Sequence, residues 1–302
     1  MNEQDMTVVV KIGGARAVDP AGALTDVASL VESGTDVVVT HGGSSAVDET
    51  LERFGKTPEY VETPDGVVGR FTDSETMDVF EMVLPGLLNT ELVAGLNSKG
   101  VDAVGLSGVD GGLLAGPRTS AVRVSENGKK KIRRGDHSGR LETVDASLLQ
   151  SLLEDGYTPV VCPPMAGHER DENGDHRVVP VNTDADGVGA AIAGALDATV
   201  VFLTDVPGIL SDPDDESTLI DTVETSEEWT ELEAAAEGFM GRKVMAIEEA
   251  LSTGATMAIV ADASADQPVT DALSGEGTHV APDALTETTT HIAPEMLEAD
   301  TP

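Results

Sequence analysis

Positive charge, cysteine and aromatic residues are all scarce in this sequence. Its 302 residues contain 18 lysines and arginines against 55 aspartates and glutamates, so the formal net charge is −37. This charge repels the phosphates of nucleic acids and the anionic faces of membranes, which argues against both as general partners. The single cysteine, Cys162, cannot form an intramolecular disulfide, and no Cys/His cluster has the spacing of a zinc site.

Long apolar runs and a leader sequence are also missing. No stretch of about 18 apolar residues predicts a membrane-spanning helix. The chain starts MNEQDMTVVV, which is acidic and enters a strand at once, so we expect no signal peptide. These features predict a cytoplasmic protein. The large negative charge is similar to that of proteins from salt-loving archaea, whose carboxylates keep the surface hydrated while salt screens their repulsion.

The few positive charges are unevenly distributed. Eight of the 18 lysines and arginines fall within residues 118–140, where Glu126 and Asp136 are the only acids. We call this segment the basic hairpin, because Asn127-Gly128 predicts a tight turn between two strands. A charge run is usually a solvated face, but in so acidic a chain it favours docking of an anionic partner. The residues expected to bind that partner are Lys129, Lys130, Lys131, Arg133, Arg134 and Arg140.

Short apolar runs alternate with helix-like stretches along the chain. This pattern predicts an α/β fold in which a central, mainly parallel sheet lies between two layers of helices. We expect two lobes that share one sheet, 1–178 for the acceptor substrate and 179–280 for the nucleotide, followed by an acidic tail, 281–302. A helix over 74–99 is expected to kink at Pro85, and residues 167–177 to form a polar loop.

Glycine pairs follow two of the predicted strands. Gly13-Gly14 comes directly after a strand that contains Lys11, and Gly42-Gly43 follows the next strand. Backbone N–H groups at such positions can approach oxyanions closely, because no Cβ intervenes and a helix begins nearby. A lysine on an interior strand is unfavourable unless its ammonium meets an anion. A lone glycine pair usually marks a turn, but two pairs with a strand lysine indicate phosphate binding.

The order of these motifs resembles a known family. VVVKIGG (8–14), VVVTHGG (37–43), GRFTD (69–73), Asn182-x-x-x-Asp186, FLTDVPGIL (202–210) and GFMGRK (238–243) occur in the order found in the amino acid kinase superfamily. They look most like its acetylglutamate kinase branch. The resemblance covers about residues 7–280, and the combination is specific although each piece alone is weak.

The resemblance implies transfer of the γ-phosphoryl group of ATP to a carboxylate, with Mg²⁺ held mainly by the phosphates. Because both reactants are anions, catalysis needs positioning and positive charge but no base. We expect Lys11 to neutralise the phosphoryl group in transfer, Lys243 the leaving β-phosphate, and Asp186 to orient both lysines. The other expected residues are Gly13, Gly14, Thr204, Asp205, Gly208 and Ile209 for ATP and Gly42, Gly43, Arg70 and Asn182 for the acceptor.

Two of the catalytic assignments have alternatives in the sequence. Lys243 could be a solvent-facing residue at the start of a helix. Asp184 competes with Asp186 for the lysine-binding position, and either could be a helix N-cap. Counting back from Asp205 favours Asp186, and hence Asn182 as the acceptor-binding asparagine.

Two segments, 69–76 and 105–111, resemble the subgroup whose acceptor is glutamate or aminoadipate joined to a small acidic carrier protein, in arginine or lysine biosynthesis. In such an enzyme Arg70 would bind a carboxylate, although a surface ion pair with Asp65 or Asp73 is its alternative. The basic hairpin would offer the carrier a positive surface. A kinase for free N-acetylglutamate and a non-catalytic, nucleotide-binding regulatory module are the competing functions. The resemblance also implies a homodimer or a larger assembly.

Overall fold

The computed structural model describes residues 6–13, 20–63, 68–126, 129–171, 173–236 and 239–285. Gly14, the expected turn at Asn127-Gly128 and most of the expected tail, 286–302, lie outside the described residues. Within these ranges the chain forms strands and helices in alternation, as the sequence predicts.

Strands account for the centre of the fold. Within the described ranges they are β1 (Thr7–Ile12), β2 (Asp36–His41), β3 (Tyr60–Glu62), β4 (Val68–Arg70), β5 (Ala103–Gly108), β6 (Leu114–Glu126), β7 (Lys129–Gly139), β8 (Thr143–Val144), β9 (Thr158–Arg170), β10 (His176–Val181), β11 (Thr199–Thr204), β12 (Thr222–Val223), β13 (Met257–Asp262) and β14 (Thr278–Val280). All but β3 and β4, which pair with each other, join one sheet.

The main sheet is mostly parallel, which confirms the predicted fold class. Its order is β12-β14-β13-β11-β1-β2-β9-β6-β7, with β5 and β10 also on β9 and β8 on β6. β13, β11, β1, β2 and β9 run parallel to their neighbours in this series, so their carboxyl ends meet at one edge. Ligands of open α/β sheets bind at that edge.

Helices cover both faces of the sheet. They are α1 (Ala21–Glu32), α2 (Ser44–Arg53), α3 (Ser74–Glu81), α4 (Asn89–Asn97), α5 (Ala146–Glu154), α6 (Ala185–Ala195), α7 (Ser226–Ala235), α8 (Phe239–Thr253) and α9 (Pro268–Leu273). Successive residues of β1 point to opposite faces: Val9 packs with α6 and α8, and Val8 and Val10 pack with α1, α4 and α9. The apolar strands are therefore buried on both sides, as in a three-layer sandwich.

The segment between α3 and α4 departs from regular helix. Residues Met82–Leu88 form a π-helical stretch that contains Pro85, so the expected irregularity lies at the expected proline. An 18-residue window within Ser74–Asn97 has a mean hydropathy of 1.4, so by length and composition alone this helical stretch is apolar enough to cross a membrane. Its Met77, Phe80 and Leu84 pack into the core with α2, as in the core helix of a globular domain.

Two boundaries differ from those expected. The predicted polar loop at 167–177 is wrong, because β9 runs on to Arg170 and turns into β10 at His176. Glu169 lies opposite Arg177 in this antiparallel pair. The predicted division between lobes at residue 178 falls inside β10, and the strands on both sides belong to the same sheet, as expected. The assignment of each lobe to a substrate stays a prediction.

Candidate active site

Lys11 lies inside the sheet, near the carboxyl end of β1. It pairs with Phe202 of β11 on one side and Thr40 of β2 on the other, and only 5% of the residue is exposed. Its side chain points toward α6, where Gly189 leaves room: a Cβ on Gly189 would lie 3.4 Å from the Lys11 Cγ atom. The small residues of α6 thus let a lysine fit between the helix and the strand.

Asp186 brings the two predicted lysines together. It forms an ion pair with Lys11 through Oδ1, and Lys243 Nζ donates to Oδ2 at 3.1 Å. Lys243 is therefore not a solvent-facing residue, since only 13% of its side chain is exposed. Asp184 is the N-cap of α6 and accepts from the Gly187 N–H at 2.9 Å, which leaves Asp186 as the lysine partner.

The charges in this cluster control its protonation. Burial opposes ionisation of the Asp186 carboxyl, but Lys11 and Lys243 outweigh it and lower its pKa to about 2. Burial is also the main cause that lowers the pKa of Lys11, against the attraction of Asp186. The result is two ammonium groups held around one carboxylate in a place where water is largely excluded.

The glycine loops lie at the same sheet edge. A Cβ on Gly13 would approach the Leu203 carbonyl oxygen to 2.8 Å, so the end of β1 passes directly against β11. A Cβ on Gly42 would lie 3.1 Å from the Ala185 Cβ, at the start of α6. A Cβ on Gly43 would come closer still to the side chains of Leu84 and Leu88. Gly13, Gly42 and Gly43 therefore lie at the same sheet edge as Lys11, and Gly42 lies beside the start of α6; Gly14 lies outside the described residues.

His41 is a buried residue at this edge that the sequence analysis did not select. Its Nδ1 lies 2.9 Å from the Gly42 carbonyl oxygen, and its Nε2 has no partner among the described residues. Burial lowers its pKa to about 4, so the ring is neutral near pH 7. Nδ1–H then donates to Gly42 and helps to hold the glycine loop. Its position directly before Gly42-Gly43 is the one signal that the sequence offers.

Arg70 is held by partners that the sequence did not suggest. It forms an ion pair with Asp48 of α2, and its Nη2 donates to Ser44 Oγ at 2.7 Å and to Tyr60 OH at 2.8 Å. Its expected alternative partner Asp73 binds Lys56 Nζ instead, at 2.6 Å. The other alternative partner, at position 65, lies outside the described residues. Arg70 is thus nearly buried at the end of β4, with its guanidinium fixed in orientation.

Asn182 is tied to the Arg70 segment. Its side-chain Nδ2 donates to Thr72 Oγ1 at 3.2 Å, and its backbone N–H donates to the His137 carbonyl oxygen at 2.8 Å. Asn182 stands at the end of β10, just before the capped start of α6. The predicted acceptor residues and the predicted catalytic residues are therefore joined through one short stretch of chain.

A family model described as the Amino acid kinase family matches residues 6–262. The chain belongs to this family. The match covers β1 through β13 and so includes every residue of the Asp186 cluster.

Curated relatives of this amino acid kinase match nearly end to end. A LysW-aminoadipate kinase of Thermus thermophilus is 40% identical over 275 residues, covering 90% of this chain and 99% of the relative. A putative LysW-aminoadipate/LysW-glutamate kinase of Cenarchaeum symbiosum is 36% identical, with 90% and 98% covered. An acetylglutamate kinase of Methanopyrus kandleri is 39% identical, with 90% and 99% covered.

Solved structures share the fold at lower identity. N-acetylglutamate synthase from Neisseria gonorrhoeae superposes with a TM-score of 0.70 at 22% identity, covering 92% of this chain and 60% of that one. Carbamate kinase from Giardia lamblia bound to AMP-PNP gives a TM-score of 0.62 at 17% identity, covering 91% and 98%. These likenesses establish the amino acid kinase fold.

The predicted nucleotide loop of this kinase follows β11. Thr204 is buried and its Oγ1 donates to Asp205 at 3.2 Å. Ile209 is fully buried, its N–H donates to Thr278 Oγ1 at 2.8 Å and its carbonyl oxygen accepts from Ile220. Both backbone polar groups of Ile209 are thus hydrogen-bonded within the protein, and its side chain supports the loop by packing. Gly208 lets the loop pass close to Leu219, since a Cβ on this glycine would lie 2.6 Å from the Leu219 side chain.

The basic hairpin of this kinase is formed by β6 and β7, which confirms the predicted strand pair. Its inward face carries Val124, which is buried, and Arg133, whose guanidinium lies 4.0 Å from the centre of the Phe71 ring and pairs with Glu59. Arg133 is thus already engaged by Glu59 and Phe71. Arg140, at the base, pairs with Glu142.

The outward face of the hairpin is cationic with an apolar centre. Arg123 lies opposite Ile132, and Lys130 and Arg134 stand two residues to either side of Ile132 on the same face. All four are exposed, Ile132 to 66%. We call Arg123, Lys130, Ile132 and Arg134 the outward basic face. Sequence reasoning omitted Arg123 and Ile132 from the expected contacts, although strand alternation could have grouped them.

Other polar candidates do not form a site in the described part of the chain. No group of three or more His, Cys, Asp or Glu side chains there is arranged to hold a metal ion. Cys162 is buried, and burial raises its pKa to about 12. The thiol therefore stays protonated at neutral pH, as expected of a core residue rather than a nucleophile.

Proposed function

We propose that this amino acid kinase uses ATP to phosphorylate the side-chain carboxylate of glutamate, aminoadipate or both, joined to a small acidic carrier protein. The observation that carries the proposal is the buried cluster in which Asp186 holds Lys11 and Lys243 at the carboxyl edge of the parallel sheet. Two ammonium groups at one point are what a reaction between two anions requires.

The reaction is an in-line displacement at phosphorus. A carboxylate oxygen of the acceptor forms a bond to the γ-phosphorus of ATP, and the bond from that phosphorus to the oxygen shared with the β-phosphate breaks. The products are an acyl phosphate and ADP. Lys11 neutralises the phosphoryl group in transfer, and Lys243 neutralises the charge that gathers on the leaving β-phosphate. No base is needed, because the acceptor carboxylate is already ionised.

Asp186 acts through the lysines. Both of its oxygens are engaged by the lysine side chains, so it orients them. Mg²⁺ enters as part of the nucleotide substrate, bound mainly to phosphate oxygens. Backbone N–H groups near Gly13, Gly42 and Gly43 contribute to oxyanion binding at the same edge.

The carrier part of the proposal is supported by the relatives and by the hairpin. Relatives matched over nine tenths of the chain bear names that specify LysW-linked acceptors. The outward basic face gives an acidic partner cations around an exposed isoleucine, on a molecule of net charge −37. Close arginine contacts would hold the carrier at high salt, where long-range attraction is screened. Asn182 is hydrogen-bonded to the hairpin and lies just before α6, so it links the hairpin to the reacting groups.

The choice of acceptor separates this function from its nearest competitor. An acetylglutamate kinase is 39% identical to the chain, and free N-acetylglutamate would use the same two lysines. Glutamate and aminoadipate differ by one methylene, which a pocket distinguishes only weakly. We further propose a cytoplasmic enzyme of arginine or lysine biosynthesis that assembles as a homodimer or larger.

Trapping of the product with hydroxylamine tests this proposal. The purified chain is given MgATP with carrier-linked glutamate, carrier-linked aminoadipate or free N-acetylglutamate, and the hydroxamate formed from the acyl phosphate is measured. We expect turnover with a carrier-linked acid. Turnover of the free compound alone would exclude the carrier, and nucleotide binding without any turnover would favour a regulatory module.

A further inference from the structure

Asp136 is a buried carboxylate in the middle of the most basic part of the chain. Only 1% of the residue is exposed. Its Oδ1 accepts from the Thr72 N–H at 3.0 Å, and its Oδ2 accepts from Ser138 Oγ. Nearby Arg118 donates to the main-chain oxygen of Asp136, with Nη2 at 3.1 Å, and forms its ion pair with Glu169 at 2.7 Å.

No ion pair of the Asp136 carboxylate is found among the described residues. A buried carboxylate without a cation is unfavourable, and a neutral side chain would fill the same space more easily. The carboxylate is therefore held by hydrogen bonds to one backbone amide and one hydroxyl. The hydrogen bond from the Thr72 N–H ties the Asp136 carboxylate to the segment that carries Arg70.

Thr72 is bound at every polar group. The His137 N–H donates to its carbonyl oxygen at 2.7 Å, and Asn182 Nδ2 donates to its Oγ1 at 3.2 Å. Asn182 is in turn bound to the same turn of chain, since its N–H donates to His137 and its carbonyl oxygen accepts from Gly139 at 2.9 Å. Residues 136–139 thus clamp Thr72 and Asn182 to each other and to the base of the hairpin.

We propose that Asp136 is a positioning residue for acceptor phosphorylation. This inference rests on the proposed function. Through Thr72 the clamp fixes the chain that carries Arg70, and through Asn182 it fixes the start of α6, which carries Asp186. Asp136 thereby joins the hairpin that would dock the carrier to the residues that would bind and phosphorylate its acid. A misplacement of about 1 Å in such a chain can reduce a rate by roughly 100-fold.

The test compares Asp136→Ala with Asp136→Asn. Alanine leaves the Thr72 N–H without its acceptor, whereas the asparagine amide can accept from Thr72 and donate to Ser138. We expect Asp136→Ala to lower kcat/KM for the carrier-linked acid by roughly 10- to 100-fold. The dissociation constant for ATP should change by less than about twofold, because the clamp does not touch the nucleotide loop. Asp136→Asn should retain most of the wild-type kcat/KM.

Asp26 supplies a matched control for loss of a buried carboxylate. It is 2% exposed and its Oδ2 accepts from the Val269 N–H at 2.8 Å and the Thr270 N–H at 3.0 Å, against α9. Asp26→Ala should lower the unfolding midpoint without changing kcat/KM of the folded fraction. The proposal is overturned if Asp136→Ala keeps wild-type kcat/KM, if it loses acceptor turnover and ATP affinity in equal measure, or if Asp136→Asn is as impaired as Asp136→Ala.

Failure of the proposed function gives a different result. If the wild-type chain phosphorylates only free N-acetylglutamate, the carrier assignment falls. The same comparison of Asp136 variants is then made with that acceptor. A selective loss of its kcat/KM in Asp136→Ala supports the clamp, and wild-type values overturn it.

Discussion

Among single residues, Asp186 is notable because its carboxyl stays ionised although it is buried. The ammonium groups of Lys11 and Lys243 make this possible by lowering its pKa to about 2, against the effect of burial. The same contacts orient both lysines toward the sheet edge. The carboxylate thus contributes to stability and to the charge of the site at once.

This coupling predicts a specific response to acid. The pKa of Asp186 is lowered from 3.8 to about 2 on folding, so its stabilisation is complete above pH about 5 and is lost as the pH falls toward 2. A shift of this size corresponds to about 2 kcal/mol of unfolding free energy. Denaturant unfolding at pH 5 and at pH 2.5 should show a larger loss for the wild type than for Asp186→Asn. Equal losses would contradict the ion-paired state.

Single residues are predictable from the sequence where they belong to a motif of fixed spacing. Lys11, Asp186 and Lys243 were identified because each stands beside a glycine or a helix start in a family-specific order. Their convergence on one carboxylate is confirmed by the contacts. Partners brought together by tertiary structure were not predictable: Asp48 lies 22 residues from Arg70, and Asp136 lies 64 residues from Thr72.

At the scale of elements, the basic hairpin has two chemically different faces. Its inward face packs Arg133 on Phe71, close to the Arg70 segment. Its outward face presents Lys130 and Arg134 around an exposed Ile132. Charge reversal on the two faces should therefore have different consequences.

Reversal of the outward charges should weaken carrier binding selectively. We expect Lys130→Glu with Arg134→Glu to raise KM for the carrier-linked acid roughly tenfold, since each exposed ion pair contributes up to about 1 kcal/mol. The KM for ATP should stay within about twofold. The double variant Arg53→Glu with Lys99→Glu makes the same change in net charge on exposed residues outside the hairpin. An equal rise in KM for both double variants would show that only net charge matters.

Element prediction succeeded where periodicity was strong and failed where polar residues enter the sheet. The helix expected over 74–99 is found over Ser74–Asn97, with its irregularity at the expected Pro85. The predicted loop over 167–177 rests on polar residues such as Asp171 and Asp175, which are rare in strands and which lie in the turn between β9 and β10. The strands extend into this segment because β9 pairs with both β6 and β10. Pairing between segments far apart in the chain leaves no signal in the local sequence.

Across the whole molecule, negative charge greatly exceeds positive charge. The net charge of −37 produces self-repulsion that salt should screen, because the Debye length falls from about 30 Å at 0.01 M to about 3 Å at 1 M. Eight of the 18 lysines and arginines lie in the basic hairpin, and Lys11 and Lys243 contact Asp186. The fold class followed from the alternation of strands and helices, and its two-sided core from the apolar strands.

This charge predicts stability that rises with salt. The unfolding midpoint should increase by at least about 4 °C between 0.05 M and 1 M KCl, which corresponds to about 1–2 kcal/mol for a chain of this length. Differential scanning fluorimetry over a KCl series measures it, with sucrose at matched osmolality as the control for solute exclusion. A midpoint that is flat or falls with KCl would contradict the role given to the acidic surface.

The most direct test of the paired lysines is the rate of acyl phosphate formation by Lys11→Met, measured by hydroxylamine trapping at saturating MgATP and acceptor. Methionine keeps most of the side-chain volume and removes the ammonium. We predict a kcat lower than wild type by roughly 100- to 1,000-fold, the loss typical of one stabilising group at a developing charge, while the chain remains folded. Wild-type kcat in Lys11→Met would contradict the claim that Lys11 and Lys243 together stabilise the phosphoryl group in transfer.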